Sequence, residues 1–301
     1  MVSVITVNYN NTQVTLELLS SLYKHETANV EVIVVDNASR ENPLPIIQAL
    51  FPQVKCVRSE KNLGFAGGNN LGIAAATGDY FFFVNNDTEF IATIISKLVA
   101  ELKHDKRVGA VCPRLVYPNG ENQFIGFTSI NPLTGRNKCL TTNPNKTEEP
   151  RIKSTYVHGA AFMIPREVYK QIGNMPEHYF LYFEELDWSA AIGRIHRNIH
   201  VLHNCTIVHK ESQTVGKVSE LKSYFMSRNR LLFMRRNFNS LSVAIFWLYY
   251  LLVATPFHIG KYFMLRQWLC IRAHIAGIVW NMFSSSNSTT LGYKYNQLNR
   301  V

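Results

Sequence analysis

Cysteine is scarce and scattered in this chain. Cys56, Cys112, Cys139, Cys205 and Cys270 are the only five in 301 residues, and no two form a CxxC pair. Neither a zinc site nor a disulfide framework is indicated, and a reducing compartment is expected. Charge is also sparse, at 17% of residues against 47% hydrophobic and 12% aromatic. That balance excludes a disordered chain and leaves enough apolar material for one large core with an appended subdomain. Acidic residues are the minority sign, 21 against 31 Lys and Arg, for a formal charge of +10. The excess draws the chain toward anions, whether nucleic acid, an acidic lipid surface or a phosphorylated substrate. The start has no basic leader, and Val2 to Tyr9 turns polar too soon for a cleavable signal peptide. It reads as a first strand.

The stretch GDYFFFVNND, Gly78 to Asp87, is where chemistry first shows. A buried aromatic and β-branched run ends abruptly in Asn85, Asn86 and Asp87, which places a carboxylate and two amides at the carboxyl edge of a sheet, where open α/β sheets bind ligands. An Asn/Asp turn is the plainer reading of the same residues. Earlier strands decide between them. Val2 to Val7 is an apolar run ending in the turn Asn8 to Asn11, and Val14, Leu18, Leu19 and Leu22 follow at helical spacing. Glu31 to Val35 is a second strand ending in Asp36, Val54 to Val57 suggests a third, and Leu71 to Ala76 sits in a helix that ends near Gly78. Tyr80 to Val84 is the fourth strand. Short apolar strands separated by helices argue for a mostly parallel sheet. Asn8, Asp36 and the pair Asn85 and Asp87 then gather on one edge, a coincidence that isolated turns do not predict. The segment NLGFAGGNNLG, residues 62 to 72, adds Gly64, Gly67 and Gly68 before a helix. Glycines there let backbone approach a ligand or take positive φ, and the helix amino terminus offers free amides. Its spacing matches neither the dinucleotide nor the P-loop signature.

Six segments in order, VSVITVNYN (2–10), VVDNAS (34–39), NLGFAGGNNLG (62–72), GDYFFFVNND (78–87), VHGAAFMIPR (157–166) and FLYFEELDWSAAI (180–192), resemble the family 2 glycosyltransferases with the GT-A fold, and most closely their bacterial rhamnosyltransferase-type branch. The resemblance implies a nucleotide-diphospho-sugar transferase fold, α/β with a mostly parallel central sheet flanked by helices. It implies that Asp36 and the turn around Asn8 contact the nucleobase or ribose, and that Asn62, Gly67 and Asn69 belong to the donor-binding surface. Asn85, Asn86 and Asp87 fall on the element that holds the diphosphate through Mg2+ or Mn2+. Its first carboxylate position is Asn85, so Asp87 carries the charge alone. His209, in TIVHKES at 206 to 212, matches a late His that some relatives use as a metal ligand, and the bland reading is a surface histidine. His158 and Gly159 are read as pocket wall.

The reaction needs a base on the face of the anomeric carbon opposite the diphosphate. EELDW, residues 184 to 188, offers Glu184, Glu185 and Asp187 behind the aromatic run Phe180 to Phe183. Clustered acids cap helices, yet like charges packed on Tyr182 and Phe183 raise one carboxylate's proton affinity. The resemblance puts the base position on Glu185, with Asp187 as rival. Pro118 to Pro150, containing Pro132, Gly135 and Pro144, reads as an insertion that covers or recognises substrate.

These readings divide the chain into a catalytic domain, 1–215, with a nucleotide half (1–110) and an acceptor half (111–215), and a helical basic and apolar region, 216–301. In the latter, Lys217, Lys222, Arg228, Arg230, Arg235 and Arg236 precede an uncharged stretch from Asn237 to Gly260, and Lys261, Arg266 and Arg272 follow it. Pro256 interrupts its end. Three readings stay open: an interfacial helical hairpin on anionic lipid, a transmembrane segment, or a soluble homo-oligomer interface. The expected protein is an inverting glycosyltransferase, peripheral on the cytoplasmic face of the bacterial inner membrane. It takes a dTDP, UDP or GDP sugar, with rhamnose as one donor sugar, to a surface glycan or lipid-linked saccharide. A non-catalytic glycan-binding protein on a degenerate fold is the alternative. Nucleic acid is set aside, because the basic residues flank an apolar stretch instead of interleaving with exposed aromatics.

Overall fold

The computed structural model describes residues 1–26, 29–142, 150–211 and 219–292. Pro144 of the insertion, Ser212 of TIVHKES and Lys217 of the basic stretch lie outside the described residues.

The first half alternates strand and helix. Strand β1 (Val2–Asn8) leads to α1 (Thr12–His25), β2 (Val30–Asp36), α2 (Leu44–Leu50), β3 (Lys55–Arg58), α3 (Gly64–Ala75) and β4 (Tyr80–Val84). Strands β3, β2, β1 and β4 lie side by side and parallel, with Val2 to Asn8 in register with Val30 to Asp36. In-register strands finish together, so Asn8 and Asp36 are neighbours across the ladder. Strands β1 and β4 are buried almost throughout, as strands covered on both faces require. Helix α1 turns Leu18, Leu19 and Leu22 inward as their spacing predicts, whereas Thr15 takes the buried place expected for Val14, which is only half-buried. Helix α3 lies close on the sheet because Gly72 has no side chain: a Cβ there would collide with Ile5.

The second half is mixed. Strand β5 (Thr88–Phe90), helix α4 (Ile95–His104) and strand β6 (Val108–Val116) precede the insertion, which supplies β7 (Asn122–Phe124), β8 (Gly126–Phe127) and β9 (Cys139–Leu140). Then come β10 (Arg151–Ser154), β11 (Ala161–Pro165), α5 (Arg166–Ile172), α6 (Glu184–Arg194) and β12 (Asn198–His209). The sheet continues from β4 through antiparallel β11 to β6, β12 and β10. Strand β12 is long and bulged, and its far end carries His209 beside Thr88, directly after Asp87.

The carboxyl-terminal helices are α7 (Glu220–Asn237), α8 (Ser240–Tyr249), α9 (Thr255–Met264) and α10 (Trp268–Phe283). Pro256 does not end the helix that contains it. A π-helical turn, Tyr250–Ala254, joins α8 to α9 just before Pro256, with the Thr255 amide donating to the Tyr250 carbonyl. The continuous helix Ser240–Met264 has 25 residues and is long and apolar enough to cross a membrane. These helices are not packed apart from the preceding part of the chain. Leu231, Phe233, Phe246, Tyr250 and Trp280 share one cluster with Tyr156, Tyr179, Phe183 and Leu186.

Candidate active site

The strand ends form a continuous hydrogen-bonded edge. Asn8 Nδ2 donates to Asp36 Oδ1 at 3.1 Å and to Ser39 Oγ at 3.1 Å, and its Oδ1 accepts from Thr15 Oγ1 at 2.8 Å. Asn86 Nδ2 donates in turn to Thr15 Oγ1 at 3.1 Å. Ends of β1, β2 and β4 and the start of α1 are thus joined through side chains alone. Asp36 is fully buried: its Oδ2 lies 3.5 Å from Arg58 Nε and accepts from the Ser39 amide at 3.3 Å, and Asn8 holds the other oxygen. Neither Arg58 nor Thr15 carried a sequence signal, because each stands alone between elements with no motif around it.

The glycine-rich segment serves the protein more than an open pocket. Gly64 has φ +73, and a Cβ on it would strike the carbonyl of Phe180. The Phe65 amide, at the start of α3, donates to that same carbonyl at 2.8 Å. Asn62 Oδ1 accepts from Gly64 N and Asn37 Nδ2, Gly67 lies against Leu63, and Asn69 Nδ2 donates to Phe65 O at 2.9 Å. These three residues shape the entry to α3, next to the edge but engaged with their own backbone.

Asp87 and His209 meet. Tyr80–Val84 ends in a tight turn in which Asn85 O accepts from Thr88 N and Oγ1, and Asp87 emerges buried with Oδ1 3.3 Å from His209 Nε2. On the other side of the imidazole, Nδ1 donates to Gln123 Oε1 at 2.8 Å. That bond holds the ring with Nε2 toward Asp87, the arrangement of a histidine ligand held by an outer partner. Two donors, one carboxylate and one imidazole, would suit a Mg2+ or Mn2+ ion, whose charge would offset that of a bound diphosphate. No group of three or more His, Cys, Asp or Glu residues suited to metal occurs among the described residues. Asn86 is turned to Thr15 and the half-buried Asn85 is held through its backbone, so Asp87 alone offers charge here. His158 closes the group, its ring centroid 5.9 Å from that of His209 and 5.0 and 5.8 Å from Phe124 and Phe127. Burial, then the neighbouring His209, pushes His158 down to about 3, so it stays neutral. Gln123, Phe124 and Phe127 all come from the insertion.

The acidic turn is built differently. Phe180, Tyr182 and Phe183 have φ of 65, 69 and 76, a conformation that costs a bulky L-residue about 1–2 kcal/mol. Helix α7 holds them there. The fully buried Asn229 places Nδ2 within 2.7–2.9 Å of the carbonyls of Tyr179, Leu181 and Tyr182. Arg228, also fully buried, donates to His178 O at 2.8 Å and lies 3.9 Å over the Trp280 ring. This strained entry aims the first turn of α6. Asp187 is buried and faces α7, accepting from Arg236 Nε at 2.8 Å and Asn237 Nδ2 at 2.7 Å. Glu185 faces elsewhere, its Cγ and Cδ within 4 Å of the Cβ position of Gly159, which also borders Phe65. Burial pushes Glu185 up to about 7. Glu184 is buried beside it and raised well above the usual range by burial and then by the Glu185 charge, with Oε2 lacking a hydrogen-bond partner among the described residues. Consecutive residues join the two halves: the His158 ring meets His209, and Gly159 lies against Glu185.

A model of the family described as glycosyl transferase family 2 matches residues 3–173. The chain belongs to that family. It is 26% identical over 236 residues to a low-salt glycan biosynthesis hexosyltransferase of Haloferax volcanii, covering 76% of this chain and 74% of that protein. It is 22% identical over 237 residues to the N-acetylglucosaminyl-diphospho-decaprenol L-rhamnosyltransferase of Mycobacterium tuberculosis, covering 71% and 77%. Among solved structures, the mannosyltransferase PcManGT from Pyrobaculum calidifontis, in complex with GDP-Man and Mn2+, superposes with a TM-score of 0.58 at 16% identity, covering 94% of this chain and 87% of that one. The fold is GT-A, and the chain is a glycosyltransferase of the hexosyltransferase type.

The family match ends before the acidic turn, His209 and α7. In this glycosyltransferase the residues that aim the turn are Arg228, Asn229 and Arg236, in the basic stretch that one of the three open readings turned toward anionic lipid, and Asn237, the first residue of the uncharged stretch. The structure corrects that reading for three of its arginines. Arg228 is buried on carbonyls, Arg235 donates to Asn281 and Ser284, and Arg236 is paired with Asp187. The available signal was Asn229 itself, a poor helix former between arginines and the apolar run LLFM.

Proposed function

We propose that this glycosyltransferase moves a sugar from a nucleoside diphosphate donor to a hydroxyl of a surface glycan or lipid-linked saccharide, with inversion at the anomeric carbon. One observation carries the reading: the Asp87–His209 pair and the raised carboxylate of Glu185 flank the single segment His158–Gly159. The nucleoside lies along Asp36 and Asn8, and the diphosphate at Asp87. A divalent ion bound there supplies charge neutralisation for the departing nucleoside diphosphate. Glu185 takes the acceptor hydroxyl's proton as that oxygen attacks the anomeric carbon, and a carboxylate with a value near neutrality is a stronger base than an ordinary one. Attack from the side opposite the diphosphate inverts the configuration. Asp187 holds α6 against α7, and His158 and the Phe124 and Phe127 rings keep water from the Asp87 carboxylate. Rhamnose is the first sugar to test, because the mycobacterial relative carries that activity in its name.

The place we propose is the cytoplasmic face of a bacterial inner membrane, held peripherally. Leu241, Ile245, Leu248 and Leu252 form an exposed stripe along α8 and the π turn, with Phe257, Phe263, Met264 and Trp268 continuing it. An apolar face of this extent marks an interaction surface, and Arg266 and Arg272 lie exposed near it. All five cysteines are free, in keeping with a reducing compartment.

The test is a thermal-shift screen of dTDP, UDP and GDP sugars with and without Mn2+ or Mg2+. Binding at a hundred times Kd adds about 2.7 kcal/mol of stability. One nucleotide class should raise the melting temperature, more with metal, and only that class should yield a transferred sugar. No shift with any nucleotide sugar would refute the reading.

A further inference from the structure

The carboxyl-terminal helices hold cations that neither catalysis nor folding employs. Along α7, Lys222, Met226 and Arg230 recur at helical spacing with Ser219, Ser223 and Ser227. This face lines a cavity of about 150 Å³ closed by residues of the helix Ser240–Met264 and of α10. Its charged groups are Lys222, Arg230 and Lys261, and the described lining includes no Asp or Glu. Arg136 reaches the same place from the insertion, 3.5 Å from His258. Arg230 is the telling group. Its Nε is buried without a hydrogen-bond partner, and no carboxylate pairs with it among the described residues. The other arginines of α7 are committed: Arg228 and Arg235 to carbonyls, Arg236 to Asp187.

Clustered cations with no counter-charge repel one another and lose hydration, a cost that a bound anion removes. Hydroxyls complete the donor set, Ser223 bonded to Tyr262 and Ser227 to Tyr250. A cavity of this size is below the roughly 300 Å³ of typical ligand pockets, so a sugar nucleotide is too large for it while a phosphate or diphosphate fits. The helix that supplies Tyr250, His258 and Lys261 to the cavity turns Leu248, Leu252 and Phe257 outward, at 63%, 73% and 66% exposure. One helix therefore offers an apolar surface outside and phosphate-binding groups inside.

We propose that this cavity binds the phosphate or diphosphate headgroup of a membrane-borne amphiphile. Its apolar chain lies along the exposed helix stripe. In the reaction proposed above that amphiphile is the lipid-linked acceptor, an assignment that rests on the reading of function, whereas the site itself does not.

The full chain should be tested for binding to phosphatidylcholine vesicles carrying a long-chain isoprenyl diphosphate, to plain phosphatidylcholine vesicles, and to inorganic pyrophosphate in solution. Diphosphate vesicles should bind more tightly than plain ones, and pyrophosphate should compete. Arg230→Gln should weaken diphosphate-vesicle binding roughly ten- to hundredfold, the worth of a charge-assisted contact. Arg230→Lys should retain most of it, and Lys222→Gln should weaken it less. Since Arg230 makes no bond within the described residues, Arg230→Gln should melt no lower than the parent; should it fail to fold, the Lys222→Gln and Arg230→Lys pair gives the same comparison. Equal binding by parent and charge-removing variants would overturn the proposal. Pyrophosphate binding without preference for diphosphate vesicles would overturn the membrane source and assign the cavity to a soluble phosphate. Diphosphate binding without sugar transfer to an isoprenyl-diphosphate saccharide would refute the acceptor assignment and leave the site standing.

Discussion

The strand-end half of the site and the acidic turn are held in opposite ways. Asn8, Asp36 and Asp87 stand at the ends of strands that are neighbours in one sheet, and their geometry follows from register and burial. Glu184 to Asp187 stand behind three aromatic residues in the left-handed region, held by a helix that begins 33 residues after Asp187. The first half is secured by the sheet that every strand supports. The second is secured by a few side chains, so single substitutions far from the chemistry should disturb it.

The largest effect is expected within the acidic turn itself. Glu185→Gln should lower the transfer rate by roughly 10²- to 10⁴-fold, the usual worth of a general base, with the donor KM little changed. Asp87→Ala comes next, at roughly 10²- to 10³-fold, a figure typical of lost electrostatic stabilisation. Because the sheet edge holds itself, that variant should keep nearly the parental melting temperature; a large drop would show that the strand-end half is not preformed.

Asn229→Ala sharpens the contrast. It strips one donor group from three buried carbonyls at about 1–3 kcal/mol for each group left unsatisfied, on a segment already strained. Both melting temperature and kcat should fall, the latter about tenfold from misplacement of Glu185, while the donor KM stays near the parental value. Equal losses in kcat and donor affinity would mean that the two halves are not separately held.

The smallest expected effect concerns Glu184. Its folded-state value is raised, so the stability tied to its protonation is fully present below the ordinary value of 4.5 and is lost as pH rises toward and through the folded value. Glu184→Gln removes this dependence. It should melt with the parent at pH 4 and above it at pH 8, by about 2–4 °C for each kcal/mol recovered. Parallel melting curves across that range would show that Glu184 is not desolvated.

The same contrast explains what was legible from the residues. Strands β1, β2 and β4 were readable because an apolar run that stops at Asn8, Asp36 or Asn85 states both the element and its end. Asp87 and His209, far apart in sequence, could be paired only through the resemblance, since the bulged β12 that joins them has no local mark. The glycines before α3 read as ligand approach, yet Gly64 makes room for the Phe180 carbonyl, a partner more than a hundred residues away. Helix α7 misled most. Its arginines carry the composition of a solvated basic face, and only tertiary packing shows that Arg228 and Arg236 are spent inside the molecule.

The central claim is that two acids of one helical turn do different work, Glu185 as base and Asp187 as tether to α7. The direct test is the pH dependence of kcat/KM for transfer in the parent, Glu185→Gln and Asp187→Asn. A base must be deprotonated to act, so the parent rate should rise with pH through a limb near 7, the value to which burial pushes Glu185. Asp187→Asn should keep that limb at reduced stability, and Glu185→Gln should lose it along with most of the rate. An inactive but folded Asp187→Asn beside a Glu185→Gln variant that retains the limb would contradict the account.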